Sequence, residues 1–486
     1  MANNNGIVTK TQVRGCPQGS CAGPLLWNLT FNKILEATWP DHTTIIAYAD
    51  DAALLVKGRT RDEIEANGSE ACAKFASLCE DLKLRISITK SSALLIPRPG
   101  TRPVRRPCIR LLGRNIKFMD TQKYLGVVWD SGLTWVPHLQ QQRAKTSAIA
   151  RMTRKFQGRN WGLNPHIQKV LYSTVVEKIA LYAAAIWAQP MTTRKIKQLT
   201  SLQRPFVISI CRAYCTTATS SALTLAGIVP LHIQAELEAT YTRVLHLRKD
   251  ASFAGTLYSP ALYEHPKTPL HTHPAHKGLG VHTHIMQQPN KEIQHISNHT
   301  LYTDGSKHAE GVGSAFLHCW QSQELHHWKG HLGDSNSVFQ AEVIAITAAV
   351  EYLISRKISK AYLYTDSMSA LLALSKHNHV SPLIIRLQKL LKDNPQVHVD
   401  MTWVKAHEGN AGNEAADVLA KEAASNINAR PIAVPAPPSH LKRLLKGAAV
   451  QWWQRVWEHG NTGRRVYGFL PMVTTERLIA SKRSTY

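Results

Sequence analysis

The tripeptide Tyr-Thr-Asp occurs twice, at residues 302–304 and 364–366, each time closing a short run of strand-forming residues. The first run is His-Thr-Leu-Tyr-Thr-Asp304-Gly-Ser and the second is Ala-Tyr-Leu-Tyr-Thr-Asp366-Ser. Carboxylates at the ends of two neighbouring strands repel strongly when dry, so one is protonated or cations hold them. That requirement constrains everything between His299 and Ser425.

Two strand-like runs, Gly311 to Trp320 and Glu324 to His331, continue from the first as an antiparallel meander. The period then changes. Phe339, Val343, Ile346, Val350 and Leu353 recur at helical spacing, and Ser337 with Gln340 has the form of a capping box. Glu342 lies on the buried edge of that helix, where an unpaired carboxylate is costly. A fifth strand, Val397 to Val404, leads into a glycine-flanked loop holding His407, and a helix with Ala416, Ala420 and Ala423 along one side carries Asp417. Each of these acids taken alone reads as a turn or cap residue.

The motifs Thr-Asp304-Gly-Ser, Gln-Ala-Glu342, Tyr-Thr-Asp366-Ser and His407 through Asn413-Glu-Ala-Ala-Asp417 resemble type 1 ribonuclease H. The resemblance implies an α/β domain with a mixed five-stranded sheet. It also implies that Asp304, Glu342, Asp366 and Asp417 hold two Mg2+ ions, with Mn2+ able to substitute, and that His407 moves protons at the leaving group or helps release product. A surface loop histidine is the plainer reading of His407.

Upstream, Pro17-Gln18-Gly19-Ser is a turn running into an apolar helix, and Ile-Ile-Ala-Tyr48-Ala49-Asp50-Asp51-Ala-Ala-Leu-Leu-Val is a hairpin with paired aspartates at its tip. A solvated turn would explain the hairpin by itself. Arg61 to Leu82 follows as an amphipathic helix with Ile64, Ala71, Phe75, Leu78 and Leu82 on one face. Together the loop and hairpin resemble the palm of a reverse transcriptase, in the manner of non-long-terminal-repeat, I-factor-like retrotransposons. On that resemblance Asp50 and Asp51 bind metal, and Gln18, Gly19 and Lys90 contact nucleotide or template. Tyr124-Leu125-Gly126 is similar to the hairpin that grips the primer. The family's palm uses another aspartate N-terminal to the Pro-Gln-Gly loop, whereas the first acid here is Glu36. The expectation is a truncated polymerase without appreciable synthesis.

The domain reading is a multidomain α/β chain. Residues 1–136 form a partial right-hand palm (α+β), 137–250 a helical thumb-like region and 251–298 a Pro/His-rich linker. Residues 299–425 form the ribonuclease H domain, 426–440 a Pro-rich linker and 441–486 a basic Trp-rich segment. In the thumb, Ile167 to Trp187 reads as one long apolar-faced segment, and Lys195, Lys197 and Arg204 read as outward-facing. His271, His273 and His276 in the first linker admit adventitious zinc, but Pro-rich polar composition favours a tether. Trp452, Trp453 and Trp457 among basic residues suit base stacking, or a core.

The formal charge of +25 over 486 residues fits a polyanion partner. No apolar run reaches the ~20 residues of a bilayer span, so no membrane partner is expected. The eight cysteines have no finger spacing and read as reduced thiols of an intracellular protein, the nucleus included. The function expected is cleavage of the RNA strand of RNA–DNA hybrid, with a complete reverse transcriptase in trans as a further candidate partner. The alternative is a non-catalytic nucleic-acid-binding remnant.

Overall fold

The computed structural model describes residues 2–3, 6–7, 19–98, 105–156, 161–266, 282–284, 299–321, 323–376, 378–406, 408–426 and 431–475. Gln18, His407, and His271, His273 and His276 lie outside them. The chain divides into two compact units, residues 1–156 with 192–202, and residues 157–191 with 203–486.

In the second unit, the acid-rich region folds in the order β1 (His299–Lys307), β2 (Val312–Trp320), β3 (Gln323–Leu332), α1 (Val338–Ser355), β4 (Lys360–Thr365), α2 (Met368–Leu374), α3 (Pro382–Asp393), β5 (His398–Trp403) and α4 (Ala411–Ser425). The five strands form a mixed sheet ordered β5-β4-β1-β2-β3, and His282–His284 adds a short sixth strand parallel to β5. The first three strands are antiparallel neighbours, while β1, β4 and β5 run parallel. Parallel neighbours need helical crossovers, which α1 to α3 supply. The 368–393 stretch is two helices, because Ser381 and Pro382 start a new one.

Leu301, Phe316, Leu363, Val399 and Met401 from the sheet meet Val343, Ile346, Val350 and Leu353 of α1 and Ile384 and Leu387 of α3 in the main core. Buried nearly all round, α1 is apolar enough to pass for a membrane span, yet it is the core helix of this sheet. The capping box at its start forms as its spacing predicts: Ser337 Oγ accepts from Gln340 N at 3.3 Å, and Gln340 Oε1 accepts from Ser337 N at 3.0 Å. The other face of the sheet takes α4. A Cβ on Gly313 would overlap the backbone of Ala420 and Ala424, so only glycine lets the helix lie that close.

Two expectations change, and the choice left open for the tryptophans is decided. Residues 251–266 form a hairpin, Ala251–Phe253 with Thr256–Tyr258, and bury Phe253, Tyr258 and Tyr263 rather than starting a tether. Pro431 to Ala436 is not a free linker either. Pro431 bridges His331 of β3, Ala436 bridges Tyr263, and Ile432 and Val434 pack on Val312, Leu332, Ala341 and Ile344. Its prolines disguised it, because Pro431 and Pro435 flank the short Ile-Ala-Val run that closes the sheet edge. The following helix, α5 (Pro438–His459), turns Trp453 and Trp457 into the interior at 2% exposure each, which removes both from base stacking.

The thumb-like region also departs from one long segment. Between 165 and 187 it runs Pro165–Leu171, a π turn Tyr172–Val176, Glu177–Ala180 and Ala184–Trp187, broken where Ala183 adopts φ 57°. Arg204 is drawn inward, donating to Thr219 Oγ1 at 2.5 Å. In the first unit Lys195 is 4% exposed, with the charge of Asp130 offsetting part of its burial.

That unit also holds the hairpin Thr43–Tyr48 with Asp51–Val56. It lies beside the helices Gly23–Leu35 and Arg61–Asp81, which share the core of Phe31, Ile34 and Cys79 with Ile45, Phe75 and Leu78.

Candidate active site

The two Tyr-Thr-Asp runs lie side by side. In the β1–β4 register Tyr302 pairs with Tyr364 and Thr303 with Thr365, so Asp304 and Asp366 leave adjacent strands at the same level. The tyrosine rings stack at 5.3 Å. The end of β4 is held by Trp403 Nε1, which donates to Asp366 O at 3.0 Å, and by Val404 N, which donates to Thr365 O at 2.9 Å.

Glu342 comes to the same point from the second turn of α1. Gly305 permits it, since a Cβ there would lie 2.8 Å from Glu342 N. One oxygen from each of Asp304, Glu342 and Asp366 falls within a sphere where no pair is more than 4.8 Å apart. Asp417 lines the same cleft, of about 500 Å3, together with Asn413, Glu414, Ser367 and Ser369. It does not join the tight trio. Its Oδ2 is paired with Lys421 Nζ at 2.7 Å, one helical turn along α4.

Burial first, then the charges of Asp366 and Asp417, push the Asp304 carboxyl up to about 7. Burial, with Asp304 and Asp366 behind it, drives Glu342 well above the ordinary carboxylate range, and the Gly305 amide offsets only part of this. Glu342 Oε2 and Asn413 Oδ1 are buried without a hydrogen-bond partner. Orphaned oxygens among crowded carboxylates are what a cation repays. The donors are all oxygen, which suits a hard divalent ion.

Of the residues singled out from sequence, the fold gathers Asp304, Glu342, Asp366 and Asp417 around one cleft. Asn413 was read only as part of the motif leading to Asp417, and Lys421 was not singled out. The helical spacing of Lys421 from Asp417 was the readable signal for an ion pair.

In the other unit Asp50 and Asp51 are exposed at the hairpin tip, where Ala49 takes φ 52° and Trp27 Nε1 donates to Ala49 O at 2.7 Å. Tyr124 ends the strand Thr121–Tyr124, and the charge of Asp51 reinforces burial in raising its phenol. Its neighbours Leu125 and Gly126 make the turn into Val127–Asp130, at φ 46° and 80°. Gly19 has φ 86°, and Lys90 is exposed in a 3-10 turn. Among the described residues, no third acid, histidine or cysteine joins Asp50 and Asp51 in a metal-sized group.

Residues 297–425 match the family described as RNase H, and residues 1–129 match the reverse transcriptase (RNA-dependent DNA polymerase) family. A 115 kDa protein of the type-1 retrotransposable element R1DM of Drosophila melanogaster is 27% identical over 241 residues, 49% of this chain and 23% of that protein. The Pol polyprotein of type-1 element R1 4 of Nasonia vitripennis is 32% identical over 229 residues, 43% of this chain and 57% of the relative. The chain thus spans less than two thirds of the length of either. Among solved structures, RNase H1 of Halobacterium salinarum NRC-1 is 21% identical, covers 26% of this chain and 96% of its own, and has a TM-score of 0.22. The chain thus carries a reverse transcriptase segment followed by a ribonuclease H domain, and the relatives it resembles are proteins of type-1 retrotransposable elements.

Proposed function

We propose that this chain cleaves the RNA strand of RNA–DNA hybrid by hydrolysis at the Asp304, Glu342, Asp366 and Asp417 cleft, with Mg2+ as its ion. The observation that carries the reading is the convergence of three carboxylates within 4.8 Å around orphaned buried oxygens. Divalent cations in such a site supply Lewis-acid activation of a water and of the departing oxygen. Asp304, Glu342 and Asp366 would hold one ion between them, and Asp417 would complete the set for a second. His407, following Lys405 and Ala406 beyond β5, is the group proposed to move a proton at the leaving oxygen. The +25 charge supports a nucleic-acid substrate gripped through its phosphates.

The test is cleavage of labelled hybrid by the purified chain with Mg2+, using duplex RNA and duplex DNA as controls. Hybrid-selective cleavage that Asp366→Asn lowers by a hundredfold or more, about 2.7 kcal/mol in barrier, is expected. Equal cleavage by the variant would reject the site.

One observation favours the second reading, a nucleic-acid-binding protein without turnover. Lys421 pairs with Asp417, and only the other three acids fall in the tight group. Tight hybrid binding with no metal-dependent cleavage would select it.

A further inference from the structure

The start of α1, which delivers Glu342, is gripped from two sides. On the sheet side Ser314 Oγ donates to Ala341 O at 2.7 Å and Gly305 lies against Glu342 N. On the other side stands Gln340, only 1% exposed and two residues before Glu342. Its Oε1 accepts from Ser337 N at 3.0 Å and from Asn336 Nδ2 at 3.1 Å, which serves the helix cap. Its Nε2 reaches out of the domain, donating to Glu264 Oε1 at 2.7 Å and to Pro435 O at 2.9 Å. Every polar group of this buried amide is satisfied, and two of its four partners belong to flanking chain.

Glu264 precedes and Pro435 follows residues 297–425, the span matched to the ribonuclease H family. The two flanks are tied to each other as well. Glu264 N donates to Ala436 O and Ala436 N donates to Leu262 O, each at 2.8 Å. Ile432 N donates to His331 O at 2.8 Å, and Asn336 Nδ2 to Val434 O at 3.2 Å. Ile432 and Val434 then pack against Ala341 and Ile344 of the same turns. Neighbouring residues on a helix move as a rigid body, so a displacement of Gln340 is a displacement of Glu342. Metal sites and reacting groups tolerate only fractions of an ångström.

We propose that Leu262–Glu264 and Pro431–Ala436 form a clasp that sets the position of Glu342, which makes Glu264 a positioning residue for the carboxylate cluster. The proposal rests on the ribonuclease H reading of that cluster. It places part of the support for the site in chain that the family match does not cover. The carboxylate is suited to the role, because a charged acceptor holds an amide N–H more firmly than a neutral one.

The experiment compares the full chain with Glu264→Gln, whose amide oxygen still accepts from Gln340, and Glu264→Leu, which cannot. Manganese affinity is read by calorimetry, kcat and KM on hybrid by initial rates, and melting in chelator reports any loss of stability. The expected result for Glu264→Leu is about 10–100-fold weaker manganese binding, with a matching fall in kcat and an unchanged KM. Glu264→Gln should stay within about threefold of wild type. A Glu264→Leu protein that melts lower yet binds manganese like wild type would overturn the clasp and leave a purely structural contact. Weaker metal binding by Glu264→Leu in a chain whose wild type cleaves nothing would uphold the clasp and reject the activity. A wild type that binds no manganese would overturn both.

Discussion

Asp304 concentrates the chemistry of the site into one residue. Its carboxyl is pushed up to about 7 from an ordinary 3.8, because burial and two neighbouring acids disfavour its charge. A folded pKa raised in this way favours the native state at low pH and costs stability as pH climbs through that interval. Asp304→Asn is therefore expected to melt above wild type near pH 8 in chelator, with the gap closing toward pH 4. Manganese should reverse the order, since ligand binding stabilises only the protein that can hold it. Scanning fluorimetry across that range checks both signs, and a variant melting below wild type at pH 8 in chelator would contradict the repulsion. Gly305 is the complementary case. Alanine there meets Glu342 N at 2.8 Å, so Gly305→Ala should lose about 1–3 kcal/mol of stability and weaken metal binding together. Urea titration and calorimetry measure the two effects, and a variant with wild-type stability would show the packing to be looser than drawn.

At the scale of elements, the informative piece is the Pro431–Ala436 segment. Leu332 and Val312 are fully buried, and Ile432 and Val434 form part of their cover. A fragment ending at 425 leaves that apolar edge open, whereas one ending at 437 closes it. Half-burying two aliphatic side chains contributes on the order of 2 kcal/mol, so the 299–425 fragment should melt several degrees below 299–437. Equal melting temperatures would show that the segment adds nothing to the fold. The capping box at Ser337 was legible from spacing alone, because both partners lie within four residues. The closing segment was not, because its partners are about a hundred residues away and its own composition is that of a linker. Likewise Trp453 and Trp457 sit in a basic stretch, and only the helix that buries them against its neighbours tells a core from a stacking platform.

For the whole molecule, the charge of +25 and the separation into two units frame what the chain does with nucleic acid. Hybrid affinity is expected to fall steeply between low and physiological salt, because contacts to phosphates release counterions. Fluorescence anisotropy over a salt series measures the slope, and an affinity insensitive to salt would argue against backbone binding. The 486 residues assayed by themselves are also expected to extend no primer on RNA template. Asp50 and Asp51 stand exposed without a third acid among the described residues, and a two-metal site short of a ligand holds its ions poorly. Extension that Asp51→Asn abolishes would refute this.

Much of the site was written in the sequence. Two Tyr-Thr-Asp runs predicted two strands ending in acids, and period changes placed Glu342 and Asp417 on helices, since strand and helix repeats are local properties of the chain. What the tertiary structure alone decided is how closely those groups meet. The parallel register sets Asp304 beside Asp366, Gly305 admits Glu342, and Lys421 pairs with Asp417 at the edge of the cleft. It also decided that Glu264 and Pro435, from outside the acid-rich region, hold the turn that carries Glu342. Pattern reports which residues share a face, whereas distance between faces depends on packing contributed by residues far apart in the chain.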